Sequence, residues 1–332
     1  MRLEILILFC FFVEHSTFAV SPALPNQQHP TLCGKNLLSV EECLTAYQAN
    51  PSHLVFIDGS WYHKQEEGKG RMDFENGPRL PNARYCDMDD IACCPDLFPT
   101  LNPKGLHHML PPPKLFAKTM DAFEITNHDH VVIYGCEGTI FTPRTWFLFR
   151  TMGHENVHLM QGSLQDWIQA GGPVDYNPTT VPTLYDINQS VGLPSYQACV
   201  PTNVVDMNDM VQALTTGSII IIDPRGSSYS SRGHIPGAIH MPYIDFVEPE
   251  NHLKLKSLQN LRQLFAKAGV DVHTQNTILT SCGSGVSVCH VVLALEECGR
   301  NFSQTKIYDG SWEEWGADPN TPKIMPTERT SS

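Results

Sequence analysis

The feature that most constrains this chain is that it repeats itself. Leu54-Val55-Phe56-Ile57-Asp58 has a counterpart in Ile219-Ile220-Ile221-Ile222-Asp223, and Arg79-Leu80-Pro81-Asn82-Ala83 is echoed by Gly233-His234-Ile235-Pro236-Gly237-Ala238. His158 to Trp167 is echoed by Lys306 to Trp315. The order is kept and the offsets are all about 150 to 165 residues, so a duplicated unit is the simplest account. A length of 332 residues gives two domains, each able to bury a core. From Gly171 to about Pro201 the chain is rich in Pro, Gly, Thr and Asn and lacks helical periodicity. The two copies are expected at residues 36–175 and 204–325, with a linker at 176–203.

Within the second copy, Ser218 to Asp223 is a β-branched apolar run, the pattern of a strand covered on both faces. Leu255, Leu258, Leu261 and Phe265 recur at helical spacing. Asn276 to Ser281 reads as a buried strand, Val286 to Cys298 as a core helix and Thr305 to Tyr308 as a further strand. Alternating strands and helices imply an α/β fold, each domain a parallel β-sheet flanked by helices on both faces.

The formal charge of −13 leaves no basic footprint for nucleic acid or an anionic membrane surface. At the N-terminus, Ile5 to Val13 is a short apolar run behind Arg2, and Thr17-Phe18-Ala19 fits a small-x-small cleavage site. The run is too short to span a bilayer, which takes about 20 residues. Residues 1–19 therefore read as a signal peptide, and the mature chain as secreted with no membrane segment. A mitochondrial presequence is the alternative, weakened by one Arg against two Glu. Asn188-Gln189-Ser190 and Asn301-Phe302-Ser303 match the glycosylation triplet.

Of eleven cysteines, removing Cys10 leaves ten, and reserving one for chemistry leaves an odd nine. Cys33 with Cys43, and the adjacent Cys93 and Cys94, are the expected bridge partners, with the connectivity left open because adjacent cysteines rarely bond to each other.

The chemistry is expected in the loop Ser281-Cys282-Gly283-Ser284-Gly285-Val286-Ser287, between a strand and its following helix, where open α/β sheets bind ligands. Two glycines let the backbone curl with its N–H groups inward, and a helix N-terminus behind them favours an anion. A cysteine there is held as thiolate and is nucleophilic near neutral pH. The plain alternative is a small buried residue in a tight turn. A cysteine phosphatase would carry an arginine six positions on, and that position is Val288, so the bidentate phosphate clamp is absent. The Ser284 and Ser287 hydroxyls suit a smaller anion or a persulfide. No C-x-x-C pair marks a zinc site, Cys289-His290 reads as packing, and neither metal nor cofactor is expected.

With Gly233 to Ala238, the Cys282 to Val286 loop, Tyr308-Asp309-Gly310-Ser311-Trp312 and Glu314-Trp315-Gly316-Ala317-Asp318, the chain resembles the tandem-domain rhodanese family, the thiosulfate and 3-mercaptopyruvate sulfurtransferases. Asp58-Gly59-Ser60-Trp61-Tyr62, Cys86-Asp87-Met88-Asp89, His108-Met109-Leu110-Pro111 and Gly153-His154-Glu155-Asn156-Val157 extend the resemblance into the first half. It implies two rhodanese-like domains, the first catalytically silent. It also implies that Cys282 takes a sulfur from a small sulfur-containing anion, carries it as a persulfide and yields it to cyanide or a thiol. Gly135 aligns with Cys282, so Cys136 falls one position late and is expected to be structural.

A C-G-S-G loop resembles the mercaptopyruvate branch, in which an Asp and a His of the first domain meet the loop serine; Asp89, His108 and Ser284 are the matching residues. The alternative is that His107-His108 caps a loop. Substrate contacts are expected from Gly283, Ser284, Gly285, Val286, Ser287, Arg225, Arg232, Asp89 and His108. One departure stands out: the arginine-bearing insert of the family is missing, since Asp223-Pro224-Arg225 runs through Gly226 to Arg232 directly into Gly233-His234. Losing a bidentate anion contact costs about 2 to 4 kcal/mol of binding. A second function therefore stays open, a secreted rhodanese-like protein that binds or senses thiols with little turnover.

Overall fold

A computed structural model describes residues 31–62, 68–190, 192–217 and 219–326. The expected signal peptide, residues 1–19, and Ser218 lie outside the described residues.

The first half builds strands β1 (Leu37–Leu38), β2 (Leu54–Asp58), β3 (Arg84–Tyr85), β4 (His130–Gly135) and β5 (Val157–Ser163). The second half builds β6 (Val204–Val205), β7 (Ile219–Asp223), β8 (Ile239–His240), a hairpin of β9 (Val247–Glu248) and β10 (Asn251–Leu255), then β11 (Thr277–Thr280) and β12 (Thr305–Tyr308). The two five-stranded sheets have orders β1-β5-β4-β2-β3 and β6-β12-β11-β7-β8, and each is parallel throughout. The same order recurs strand for strand, so the duplication read from sequence is a duplication of topology.

Helices α1 (Val40–Ala49), α2 (Lys69–Asn76), α3 (Pro113–Ala122), α4 (Thr142–Thr151) and α5 (Leu164–Gln169) serve the first sheet. Beyond α6 (Leu184–Gln189), helices α7 (Met207–Thr216), α8 (Ser228–Ser231), α9 (Leu258–Lys267), α10 (Val288–Glu297) and α11 (Ser311–Ala317) serve the second. One sheet face in each half has its own core, Phe56, Val132 and Trp167 in the first and Ile221, Leu279 and Trp315 in the second. The other faces share a single core in which Ile57, Ile133 and Trp146 are continuous with Ile222, Ile278 and Val291. Each such side chain contributes about 1.5–3 kcal/mol by leaving water. Helices α4 and α10 pack together within this shared core, so the two halves are welded rather than merely tethered.

Three expectations need correction. Leu255 ends a strand instead of opening a helix, because Lys256-Ser257 intervene and Ser257 caps α9 through the Asn260 N–H. The segment between the copies holds the short helix α6, started by a Thr183–Asp186 capping box and held to α3 by Lys118 Nζ, 2.9 Å from the Asn188 carbonyl. The expected bridges are absent: Cys33, Cys43, Cys93 and Cys94 are free thiols, as is every described cysteine. Cys43 lies in the apolar core behind the first sheet while Cys33 is exposed, and burial pushes the Cys43 thiol well above its ordinary range.

Candidate active site

Cys282 follows β11 at the floor of a cleft of about 1090 Å³ between the two halves, 2% exposed. Three devices set the loop around it. Ser311, at the start of α11 with φ +51°, places one hydroxyl so that it accepts the N–H groups of Cys282 (3.1 Å) and Gly285 (3.2 Å) and donates to the Tyr308 carbonyl (2.8 Å). Gly285 turns at φ +77°, and a Cβ there would sit 2.6 Å from Asp309 Oδ1 and 2.9 Å from its carbonyl. The carbonyls of Cys282 and Gly283 then accept the N–H groups of Trp312 and Glu313, both at 2.9 Å.

This pattern leaves most of the loop amides without a protein partner. Among the described residues, no protein acceptor meets the N–H groups of Gly283, Ser284, Val286, Ser287 and Val288. The Gly283, Ser284, Val286 and Ser287 residues line the cleft beside Cys282. Gly285 is not among these lining residues: its N–H is taken by Ser311, and a Cβ on it would meet Asp309.

The loop is braced from the other half. Arg144 on α4 donates through Nη1 to the Gly285 carbonyl at 3.0 Å and through Nη2 to the His108 carbonyl. The same Nη2 stands 3.0 Å from Asp309 Oδ1, an ion pair that is not aligned as a hydrogen bond. Asp309 Oδ2 accepts the Leu110 N–H at 2.8 Å.

On the first-half wall, Asp89 accepts from Trp61 Nε1 at 2.7 Å and pairs with His108 Nδ1. Burial works to raise the Asp89 carboxyl, but the hydrogen bond and charge of His108 and the Trp61 bond outweigh it and hold it low. Asp89, His108 and Ser284 all line the one cleft, although no Ser284–His108 hydrogen bond is formed among the described residues.

Comparison with known proteins agrees with this architecture. The profile of the rhodanese-like domain matches twice, at residues 51–170 and 206–318. The chain belongs to the rhodanese-like family. It is 30% identical to human 3-mercaptopyruvate sulfurtransferase over 86% of this chain and 93% of that protein. It is 28% identical to Gallus gallus thiosulfate sulfurtransferase over 85% of this chain and 93% of that one. Among solved structures, SseA of Escherichia coli, described as a 3-mercaptopyruvate sulfotransferase of the rhodanese fold, matches with a TM-score of 0.67 at 26% identity, covering 84% of this chain and 99% of that chain.

The two rhodanese-like domains differ at the corresponding loop. In the first, the Cys136 N–H donates to Ser60 Oγ at 2.8 Å, its sulfur lies 3.8 Å from Asp58 Oδ2, and burial with the Asp58 charge pushes its thiol up to about 12. The two arginines expected at the substrate also part company. Arg225 lines the cleft, yet its guanidinium grips Asp223 at 2.7–3.0 Å, donates to the Gly233 carbonyl at 2.9 Å and lies over Trp312. Arg232, exposed on the cleft wall, has no carboxylate partner among the described residues. Sequence reasoning missed Arg144, Asp309 and Ser311. A signal was there for Arg144, a cation two residues before the apolar run Trp146 to Phe149, since a charge in a core helix demands a buried partner.

Proposed function

We propose that the chain is a sulfurtransferase that moves a sulfane sulfur from thiosulfate or 3-mercaptopyruvate to cyanide or a thiol through a persulfide on Cys282. The single observation that carries this reading is the Cys282 loop, with unpaired amides bordering a thiol at a cleft floor. The sulfurtransferase relatives support the class. In the first half-reaction the Cys282 thiolate attacks the donor's outer sulfur, the donor bond breaks, and sulfite or pyruvate departs. The negative sulfur that remains is favoured by the amides and by the N-terminus of α10. In the second, the acceptor attacks that outer sulfur and Cys282 leaves as thiolate, giving ping-pong kinetics.

Asp89 and His108 are placed on the donor side in this reading, with Ser284 opposite and Arg232 supplying the charge for a carboxylate or sulfonate. The first domain walls the cleft. Thiocyanate formed from thiosulfate and cyanide, and pyruvate formed from mercaptopyruvate with a thiol, test the reaction: Cys282→Ser is expected to abolish both, and an unchanged rate overturns the assignment.

The commitment of Arg225 to Asp223 favours one second reading, a thiol-binding protein with little turnover. A Cys282 that reacts with a thiol probe but yields no product from either donor supports it. Secretion belongs to the same proposal as the signal peptide. Protein recovered from the medium of a secreting cell should begin at Val20, whereas recovery in mitochondria overturns the secretory route.

A further inference from the structure

The cleft that holds Cys282 carries two more thiols, and the reaction just described does not use them. Cys93 and Cys94, from the first domain, line the same cleft as Cys282. Their placement is built. The Cys93 N–H donates to the Met109 carbonyl at 2.9 Å, and the next residue, Leu110, donates its N–H to Asp309 Oδ2 at 2.8 Å. Asp309 is two residues from Ser311, whose hydroxyl holds the Cys282 and Gly285 N–H groups. Buried Asn102 closes the segment from the other side, donating to the carbonyls of Cys93 (2.8 Å) and Leu106 (2.9 Å) and accepting the Leu106 N–H (2.9 Å). A short hydrogen-bonded route thus ties the Cys93-Cys94 segment to the Cys282 loop across the domain boundary.

The two thiols are not equivalent. Cys93 is buried, and burial with the Cys94 and Asp309 charges pushes its thiol up to about 11, so it stays protonated. Cys94 is half-buried and free on the cleft wall. Cys282 itself is 2% exposed, which suits a small donor and hinders a bulky acceptor.

We propose that Cys94 is an internal sulfur acceptor for Cys282, a second and more exposed station for the transferred sulfur. The proposal rests on the persulfide reading above. The Cys94 sulfur attacks the outer sulfur of the Cys282 persulfide and a new S–S bond forms on Cys94. The Cys282 S–S bond breaks, its electron pair returning Cys282 to thiolate in the amide loop. The proton of the Cys94 thiol passes to the transferred sulfur, so charge balances and no oxidant is consumed. The product is a Cys94 persulfide that a bulky thiol can reach.

Peptide mapping separates the two stations, because trypsin places Cys94 in residues 85–104 and Cys282 in residues 268–300. The full chain is treated with 3-mercaptopyruvate or thiosulfate, quenched by alkylation at increasing times and digested. Fragmentation then locates each gain of about 32 Da, one sulfur. The proposal expects the gain on Cys282 first and on Cys94 later. In Cys94→Ser the second label is lost while the Cys282 label accumulates, and in Cys282→Ser both are lost. A Cys282 label with no later label on residues 85–104 overturns the relay and leaves the persulfide reading standing. So does a Cys94 label that persists in Cys282→Ser, as far as the relay is concerned. No label on either peptide of the unaltered chain overturns the persulfide reading and the relay with it.

Discussion

Arg144 of the first domain donates to the carbonyl of Gly285, inside the Cys282 loop of the second, at 3.0 Å. The same guanidinium pairs with Asp309 and holds the His108 carbonyl, so one buried cation joins the loop to the opposite cleft wall. The geometry of the site is therefore a property of the domain pair.

Arg144→Ala should accordingly unfold more easily and lose most activity together. Arg144 and Asp309 are each 4% exposed, and removing one partner of a buried pair costs about 3–5 kcal/mol. Denaturant titration and thiocyanate production on the same preparation check this. Wild-type stability in the variant would contradict the bracing role.

Gly285→Ala tests the turn. Its φ of +77° disfavours a side chain, and the added Cβ would meet Asp309 Oδ1 at 2.6 Å. Strain of about 1–3 kcal/mol in the loop is expected, with activity falling at least tenfold while the first domain stays folded. Activity assays beside circular dichroism give the comparison.

Cys136→Ser probes the other loop. The Cys136 thiol is raised to about 12 and borders Asp58, so it carries no sulfur in this account. Turnover should stay within about twofold of the unaltered chain, with a stability change near 1 kcal/mol. Loss of turnover comparable to that of Cys282→Ser would contradict the division of labour.

Asp89→Asn addresses the pair with His108. The carboxyl is held below its ordinary range in the folded chain, so its stabilising contribution is present above the unfolded carboxylate value, about 3.9, and disappears as pH falls through the lower folded value. Asp89 is half-exposed, which keeps that contribution under about 1 kcal/mol. The larger expected effect is on positioning: kcat/KM should fall about tenfold or more with little change in Tm, and the variant's stability should vary less with pH in acid. Steady-state kinetics and thermal melts from pH 3 to 7 measure both.

Much of this architecture was legible in sequence because local and global signals agree. The runs Ile219 to Asp223 and Thr277 to Thr280 carry the pattern of covered parallel strands, and the glycines around Cys282 mark a sharp turn after the second. The rest depended on partners distant in sequence. Leu255 fits the helical spacing of Leu258 and Leu261 but bonds through its N–H to Gln161 Oε1 of β5, at 2.7 Å, as a strand residue. The identity of Gly285 suggested an amide aimed at substrate, yet only the folded position of Ser311, 26 residues on, shows where that N–H goes. Arg225 was ambiguous for another reason: Asp223, only two residues away, can take the guanidinium that a substrate anion would otherwise meet.

The central claim is that the Cys282 sulfur, bordered by free amides, holds a second sulfur atom. Mass spectrometry of the intact chain before and after exposure to thiosulfate and to 3-mercaptopyruvate tests it most directly. A gain of about 32 Da with at least one donor, reversed by cyanide and missing in Cys282→Ser, is the predicted result. No gain with either donor, or the same gain in Cys282→Ser, would contradict it.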